Sequence, residues 1–191
     1  GNAGITKATA AGIEEIVARH PGCTPVEPAL IEEWFNDLVW GPDKVTREDE
    51  RIRTTRNVNR TTEISADWST INDIYEAVLP RIRAEMKGIT LLGGHSSHSY
   101  INGTNMYFNY FYDLVDCEPV EENDKYYLPI IGIICEETLR LGGSIVHHHG
   151  IGKARAPWVK DEYGTSYPML ETLKHAFDPN GIMNMGTIIP R

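Results

Sequence analysis

From Ile71 the apolar side chains recur at positions 71, 74, 75, 78, 79, 82 and 86, the spacing that lines one face of an α-helix. Ser69 stands where it would cap the first turn, and Pro80 where it should bend the helix. A second series, Tyr127, Ile130, Ile131, Ile134 and Cys135, predicts a helix from about residue 123 that stops at Gly142-Gly143. Around these two helices the period falls to 2. Strand character is found over residues 60–67, 88–96, 103–112 and 144–148. In TNMYFNYFYD the alternation assigns Met106, Phe108 and Tyr110 to one face and Tyr107, Asn109 and Phe111 to the other. The first set is expected under the helices, and Tyr107 on the opposite face.

The order β-α-β-β-α-β predicts an α+β fold of the ferredoxin-like kind, an antiparallel sheet with both helices on one face. The other face is left for a ligand or a partner domain. Before this unit, helices are expected over residues 8–20, ended by PGC, and 27–40, ended by GPD, followed by the charged stretch TREDERIRTTR, read as a solvated helix. After it, a helix over 165–177 closes in the turn DPNG, and IMNMGTIIP is expected to be extended. Residues 1–55 are thus read as a helical part, 56–150 as the ferredoxin-like substrate domain and 151–191 as a C-terminal helical return segment.

A net charge of −9 on 191 residues argues against a nucleic-acid or anionic-membrane partner, since phosphate backbones are bound by clustered Lys and Arg. Any anion site must be local. Cys23, Cys117 and Cys135 are odd in number and lack CxxC spacing, which fits neither a disulfide framework nor a zinc ribbon and suggests a reducing cytoplasm. The longest nearly apolar run, residues 126–135, is far below the ~20 residues of a membrane span.

The candidate chemistry is concentrated in GGSIVHHHGIGKAR, which places His147, His148 and His149 in a row and Lys153 and Arg155 just beyond. On a strand, His147 and His149 point one way and His148 the other, so no single metal takes all three. The pair 147/149 can still chelate zinc with a third ligand from the GHSSH segment, which holds His95 and His98. The same imidazoles suit acid–base chemistry with a tyrosine on the sheet, while Lys153 and Arg155 suit a carboxylate or phosphate. No GxGxxG, GxxxxGK[ST] or GxSxG pattern is present.

GGSIVHHHGIGKARAPW, followed by MLETLKHAFDPNGIMNMG and preceded by SHSYINGTNMYF, resembles the C-terminal region of FAD-linked oxidases of the vanillyl-alcohol oxidase superfamily. The nearest branch is the alkyldihydroxyacetonephosphate (alkylglycerone-phosphate) synthases, and the likeness runs from about residue 56 to 189. The resemblance implies FAD as cofactor, with a preceding FAD-binding domain lying outside this sequence. It implies catalytic roles for Tyr107, His148 and His149, contacts to a small anionic substrate from His98, His147, Lys153 and Arg155, and positions near the flavin for Asn184 and His149. In the sister branch of 2-hydroxy-acid dehydrogenases a metal is held by two histidines and a glutamate. Here Tyr107 stands for one of those histidines and His148 for the glutamate, leaving His95 as the match, so no metal is expected. NMGTII departs from the family's more usual asparagine, proline, glycine, lysine.

The expected activity is therefore that of the substrate-binding part of a flavin-dependent oxidoreductase or synthase. A stand-alone anion- or metal-binding module and a zinc-dependent hydrolase are the competing readings. An exposed aromatic sheet edge is expected to pair with a second copy when nothing else covers it.

Overall fold

The computed structural model describes residues 1–38 and 41–189. The chain divides into two compact units, Gly1–Arg47 and Glu48–Arg191. In the first, α1 (Ala3–Ala18) opens on Asn2, whose Oδ1 accepts the Gly4 N–H at 2.8 Å. Helix α2 (Pro28–Asp37) begins with proline in its first turn. The expected end of this helix at Trp40 lies outside the described residues. Helix α3 (Pro42–Thr55) runs from the first unit into the second. Its charges pair along the helix, Arg51 with Glu48 and Arg53 with Asp49, both at 2.7 Å, and Ile52 is its buried residue.

The second unit follows the alternation of periods closely. It holds β1 (Asn57–Asp67), α4 (Ile71–Glu85), β2 (Ile89–His95), β3 (Gly103–Asp113) and α5 (Leu128–Arg140). The fold is α+β: a three-stranded antiparallel sheet in the order β1-β3-β2 with helices packed on it. Val58 and Ile64 of β1 and Phe108, Tyr110 and Tyr112 of β3 share one core with Ile74, Val78 and Ile82 of α4 and Ile130 and Ile134 of α5. Both helices therefore cover the same sheet face, the one assigned to Phe108 and Tyr110 by alternation. Full burial of each such aliphatic or aromatic side chain contributes roughly 1.5–3 kcal/mol. The buried phenols are satisfied, Tyr110 by Thr62 Oγ1 at 2.8 Å and Tyr112 by Glu122.

Three expectations are corrected. Thr70, not Ser69, is the N-cap of α4, and its side chain makes no capping bond. The tail after Asp178 is a series of bends and turns rather than extended chain, gathered by Asp178, whose carboxylate accepts the N–H groups of Ile182 and Met183 at 3.0 and 2.9 Å. The fourth strand is reduced to a single antiparallel bridge between Ser144 and Ser65.

The loss of that strand has a local cause. Gly142, at φ +84°, and Gly143 close α5, with Gly143 N–H on Thr138 O at 2.8 Å and Gly142 N–H on Leu139 O at 3.1 Å. A Cβ at Gly143 would lie 2.7 Å from Ile74 Cδ1 and 3.1 Å from Ser65 O, so glycine allows the chain to reach β1. Ser65 and Ser144 then exchange their N–H···O bonds at 3.0 and 2.8 Å. Beyond the bridge the amide donors turn to carboxylates: Ile145 N–H to Glu162 at 3.1 Å, and residues 147–149 to Glu63.

Helices α6 (Val159–Tyr163) and α7 (Tyr167–Phe177) complete the chain. Cys23, Cys117 and Cys135 are free thiols, and no helix among the described residues is long and apolar enough to cross a membrane.

Ile134, fully buried between α5 and the sheet, tests this core. Ile134→Ala is expected to lower stability by about 2–5 kcal/mol, read as a lower urea midpoint at unchanged slope. Val120→Ala, at a residue 90% exposed, should change it by less than about 0.5 kcal/mol.

Candidate functional site

The strand register sets the site. Glu63 of β1 lies opposite Tyr107 of β3, and Tyr107 lies opposite His95 of β2. Directly opposed residues of antiparallel strands share a face, so these three form a row across the sheet on the side away from α4 and α5. Tyr107 is half-buried and His95 exposed, whereas Glu63 is 0% exposed.

A carboxylate in that position needs strong partners. Glu63 Oε1 accepts the consecutive backbone N–H groups of His147, His148 and His149 at 3.0, 3.1 and 2.9 Å. Arg155, 5% exposed, donates to Glu63 O at 3.1 Å and Gly150 O at 2.9 Å, with Nη1 3.8 Å from Oε1. Burial pushes the Glu63 carboxyl up, but the three amides and Arg155 outweigh it and hold the group below its ordinary value. Oε2 has no hydrogen-bond partner and stands 3.8 Å from His148 Nδ1.

Three successive N–H groups on one oxygen require a turn, since an extended strand points alternate amides in opposite directions. The expectation that His147 and His148 project to opposite sides is therefore corrected. Their rings meet, Nδ1 to Nδ1, at 2.8 Å. On its other nitrogen His148 contacts Tyr107 OH at 2.7 Å, and His147 contacts Tyr100 OH at 2.8 Å. The His149 ring lies 5.5 Å from that of Tyr107. Burial lowers its pKa below the ordinary value, against the pull of Glu63.

The GHSSH segment supplies the opposite wall. His95 stacks on Tyr107 with ring centroids 4.8 Å apart and planes at 6°, and its Nδ1 accepts from Asn109 Nδ2 at 2.7 Å. Buried Asn105 pins the next residues, its Oδ1 accepting Ser97 N–H at 3.1 Å and His98 N–H at 2.9 Å. The His98 ring lies 5.1 and 5.0 Å from those of His147 and His148. These three imidazoles present nitrogens within 4.8 Å of one another, close enough to gather round a metal ion. The chelating pair expected from alternation, 147 with 149, is thus replaced by adjacent rings with His98.

Tyr107, His148, His149, His147 and His98 are brought together. Of the basic pair, Lys153 is exposed, following Gly150 and Gly152 at φ +79° and +57°, while Arg155 is buried beneath the turn. Asn184 is exposed on the tail, at φ +44°, beside a cleft lined by Phe177, Thr187 and Ile188. The tail returns toward the histidine turn through Ile188 N–H on Gly152 O at 3.4 Å. Sequence reasoning missed Glu63 and Tyr100. An acidic residue between Thr62 and Ile64 inside a strand was the available signal for Glu63, but its partners lie 84 to 86 residues away.

Residues 48–188 match the family model described as FAD linked oxidases, C-terminal domain. The whole chain aligns with the FAD-linked oxidoreductase YgcU of Escherichia coli (strain K12) at 61% identity, covering 40% of that protein. Alkyldihydroxyacetonephosphate synthase of Trypanosoma brucei brucei is 34% identical over 52% of this chain and 16% of its own. A solved structure of an alkyldihydroxyacetonephosphate synthase superposes with a TM-score of 0.41 at 16% identity, over 68% of this chain and 21% of that one. The chain spans well under half the length of these proteins.

Removing the buried carboxylate tests the turn. Glu63→Ala leaves three amides and the Arg155 charge without their partner and is expected to cost about 3–5 kcal/mol, with faster amide exchange at His147, His148 and His149. Because the folded pKa of Glu63 lies below its unfolded value, its contribution is complete above about pH 4.3 and is lost as pH falls through the folded value. Amide protection at the three histidines should therefore decline in acid in the natural chain. A decline of equal size in Glu63→Gln would assign it to another group.

Proposed function

The chain belongs to the family of FAD-linked oxidase C-terminal domains, and from that premise we propose that the sheet face opposite α4 and α5 is the substrate side of a flavoenzyme active site. The observation that carries this reading is the Tyr107 OH to His148 Nε2 contact of 2.7 Å, built on the open face above a buried carboxylate. A phenol and an imidazole in direct contact can take a proton from a substrate and return it. Tyr107 faces the substrate and His148 holds or supplies the proton at Nε2. Glu63, under the turn, keeps the histidine backbone in place.

The substrate is a small anion, a phosphate or a carboxylate. Imidazoles converge on this face, and the exposed Lys153 follows them in the chain after Gly150 and Gly152, in a sequence whose net charge is −9. Lys153 and His98 are the contacts to that anion. Arg155 acts on the site through Glu63.

The residues present fit FAD. His149 has its backbone N–H anchored on Glu63 and stands beside Tyr107, while the exposed Asn184 lies on a tail tied to Gly152. His149 and Asn184 would hold the cofactor. FAD, when bound, would supply the oxidation–reduction chemistry of the reaction.

The organisation follows from the same reading: helical residues 1–55, a substrate domain over 56–150 and a return segment over 151–191 that leads to the FAD-binding part. The strand order β1-β3-β2 and the Ser65–Ser144 bridge on the outer side of β1 support a ferredoxin-like substrate domain whose last strand is shortened to one residue. The open face and edge meet the FAD-binding part or, without it, a second copy of the chain.

The test uses the full-length protein, purified with its flavin and assayed for flavin reduction against 2-hydroxy acids and for turnover of acyl dihydroxyacetone phosphates. Tyr107→Phe and His148→Asn are expected to lower kcat by about 10²–10⁴-fold with flavin content unchanged, and Lys153→Ala to raise KM for the anionic substrate. Full turnover by Tyr107→Phe, or a full-length protein that binds no flavin, would overturn the reading.

A further inference from the structure

We propose that Tyr107, His148, His147 and Tyr100 form a proton wire from the substrate-facing phenol, through the side chains of the histidine turn, to a solvent-open cleft beyond it. Three contacts link the four groups: Tyr107 OH to His148 Nε2 at 2.7 Å, His148 Nδ1 to His147 Nδ1 at 2.8 Å, and His147 Nε2 to Tyr100 OH at 2.8 Å. Each ring uses both of its nitrogens, and each end is a hydroxyl that can donate or accept. This deepens the function proposed above and rests on it for the use to which the proton is put.

The Nδ1-to-Nδ1 contact imposes a rule. Between neutral rings only one of the two nitrogens carries hydrogen, so the tautomers of His147 and His148 are opposite. With hydrogen on His148 Nδ1, His147 carries its own on Nε2 and donates to Tyr100, and His148 Nε2 accepts from Tyr107. Passage of one proton reverses the chain. The Tyr107 hydrogen moves to His148 Nε2, that of His148 Nδ1 to His147 Nδ1, that of His147 Nε2 to the Tyr100 oxygen, and that of Tyr100 to water. One proton leaves Tyr107 as phenolate, one enters water, and no bond between heavy atoms changes.

The polarity and the exit are both built in. Glu63 Oε2, unpartnered and fully buried, stands 3.8 Å from His148 Nδ1, and its negative charge favours hydrogen on that nitrogen. This is the arrangement in which Tyr107 donates into the wire. At the other end Tyr100, 51% exposed, and His147 line a cleft of about 310 Å³ with Ser65, Asp67, Asn102 and Ser144. The Tyr100 backbone is fixed on both sides, its N–H on Gly103 O at 2.8 Å and its carbonyl accepting Trp68 Nε1–H at 2.9 Å. His147 and Tyr100 are positioning residues that act through His148.

The test needs neither substrate nor flavin, so it stands apart from the fate of the flavin reading. Imidazole nitrogens of this chain, labelled with 15N, are observed by long-range proton–nitrogen NMR at neutral pH. Opposite tautomers are expected at His147 and His148. Tyr100→Phe, which leaves every His148 contact in place, should shift the tautomer balance at both rings together, and Tyr107→Phe, approached from the other end, should do the same. His98→Ala should change neither, because His98 is not a member of the wire. Like tautomers, or a response confined to the ring next to each substitution, would overturn the wire. Stoichiometric binding of Zn²⁺ in a calorimetric titration, abolished by His98→Ala, would also overturn it, by making these imidazoles metal ligands.

Discussion

One buried carboxylate governs this molecule. An ionised side chain at 0% exposure is tolerated only when its charge is met by donors and an opposite charge, and Glu63 sits inside β1 shielded from solvent. Three amides and a buried guanidinium supply the need. Those donors come from the segment that would otherwise have continued as the sheet's outer strand. Gly143 lets that segment approach β1, the Ser65–Ser144 bridge starts a ladder, and the carboxylate then takes the amides a longer ladder would have used. The shortened sheet and the histidine turn are two results of the same electrostatic demand.

A second, smaller version of the device is found on β3. Asn105, also 0% exposed, uses one side-chain oxygen to accept the N–H groups of Ser97 and His98. Ser65 of β1 is opposite Asn105, two residues along from Glu63, so the two buried acceptors lie on neighbouring strands of one face. Each fixes a loop through its backbone and leaves the side chains of that loop to gather above Tyr107. Rings held in this way are positioned by the sheet rather than by loop packing, as the proton-handling role proposed for them requires.

Periodicity revealed the elements whose stability comes from a single apolar face. Helices α4 and α5 and strands β1 to β3 were legible because their core positions, such as Ile74, Val78, Phe108 and Tyr110, repeat at 3.6 or 2 residues. The same alternation put Tyr107 on the open face. It failed at residues 144–148, because strand character there was read from side chains while the outcome was decided by where the backbone donors went. Arg155 looked like a substrate contact for a similar reason: its type suits an anion, and the anion it meets is Glu63, 92 residues away in the chain. Tyr100 was invisible as a partner of His147 because nothing local distinguishes it from an exposed tyrosine.

Why three histidines should stand in a row can be answered from the backbone. A strand would have separated neighbouring rings by the sheet's own thickness, and a helix would have turned them about 100° apart. A turn whose three amides converge on one oxygen brings the first two rings edge to edge, within hydrogen-bonding distance, and leaves the third beside Tyr107. The turn's convergent amides bring consecutive side chains together, and the chain of exchangeable protons proposed between two phenols rests on the imidazoles that stand there. The charge that holds the turn also stands beside His148 Nδ1, so the group responsible for the fold at this point is the one that gives the proton path its direction.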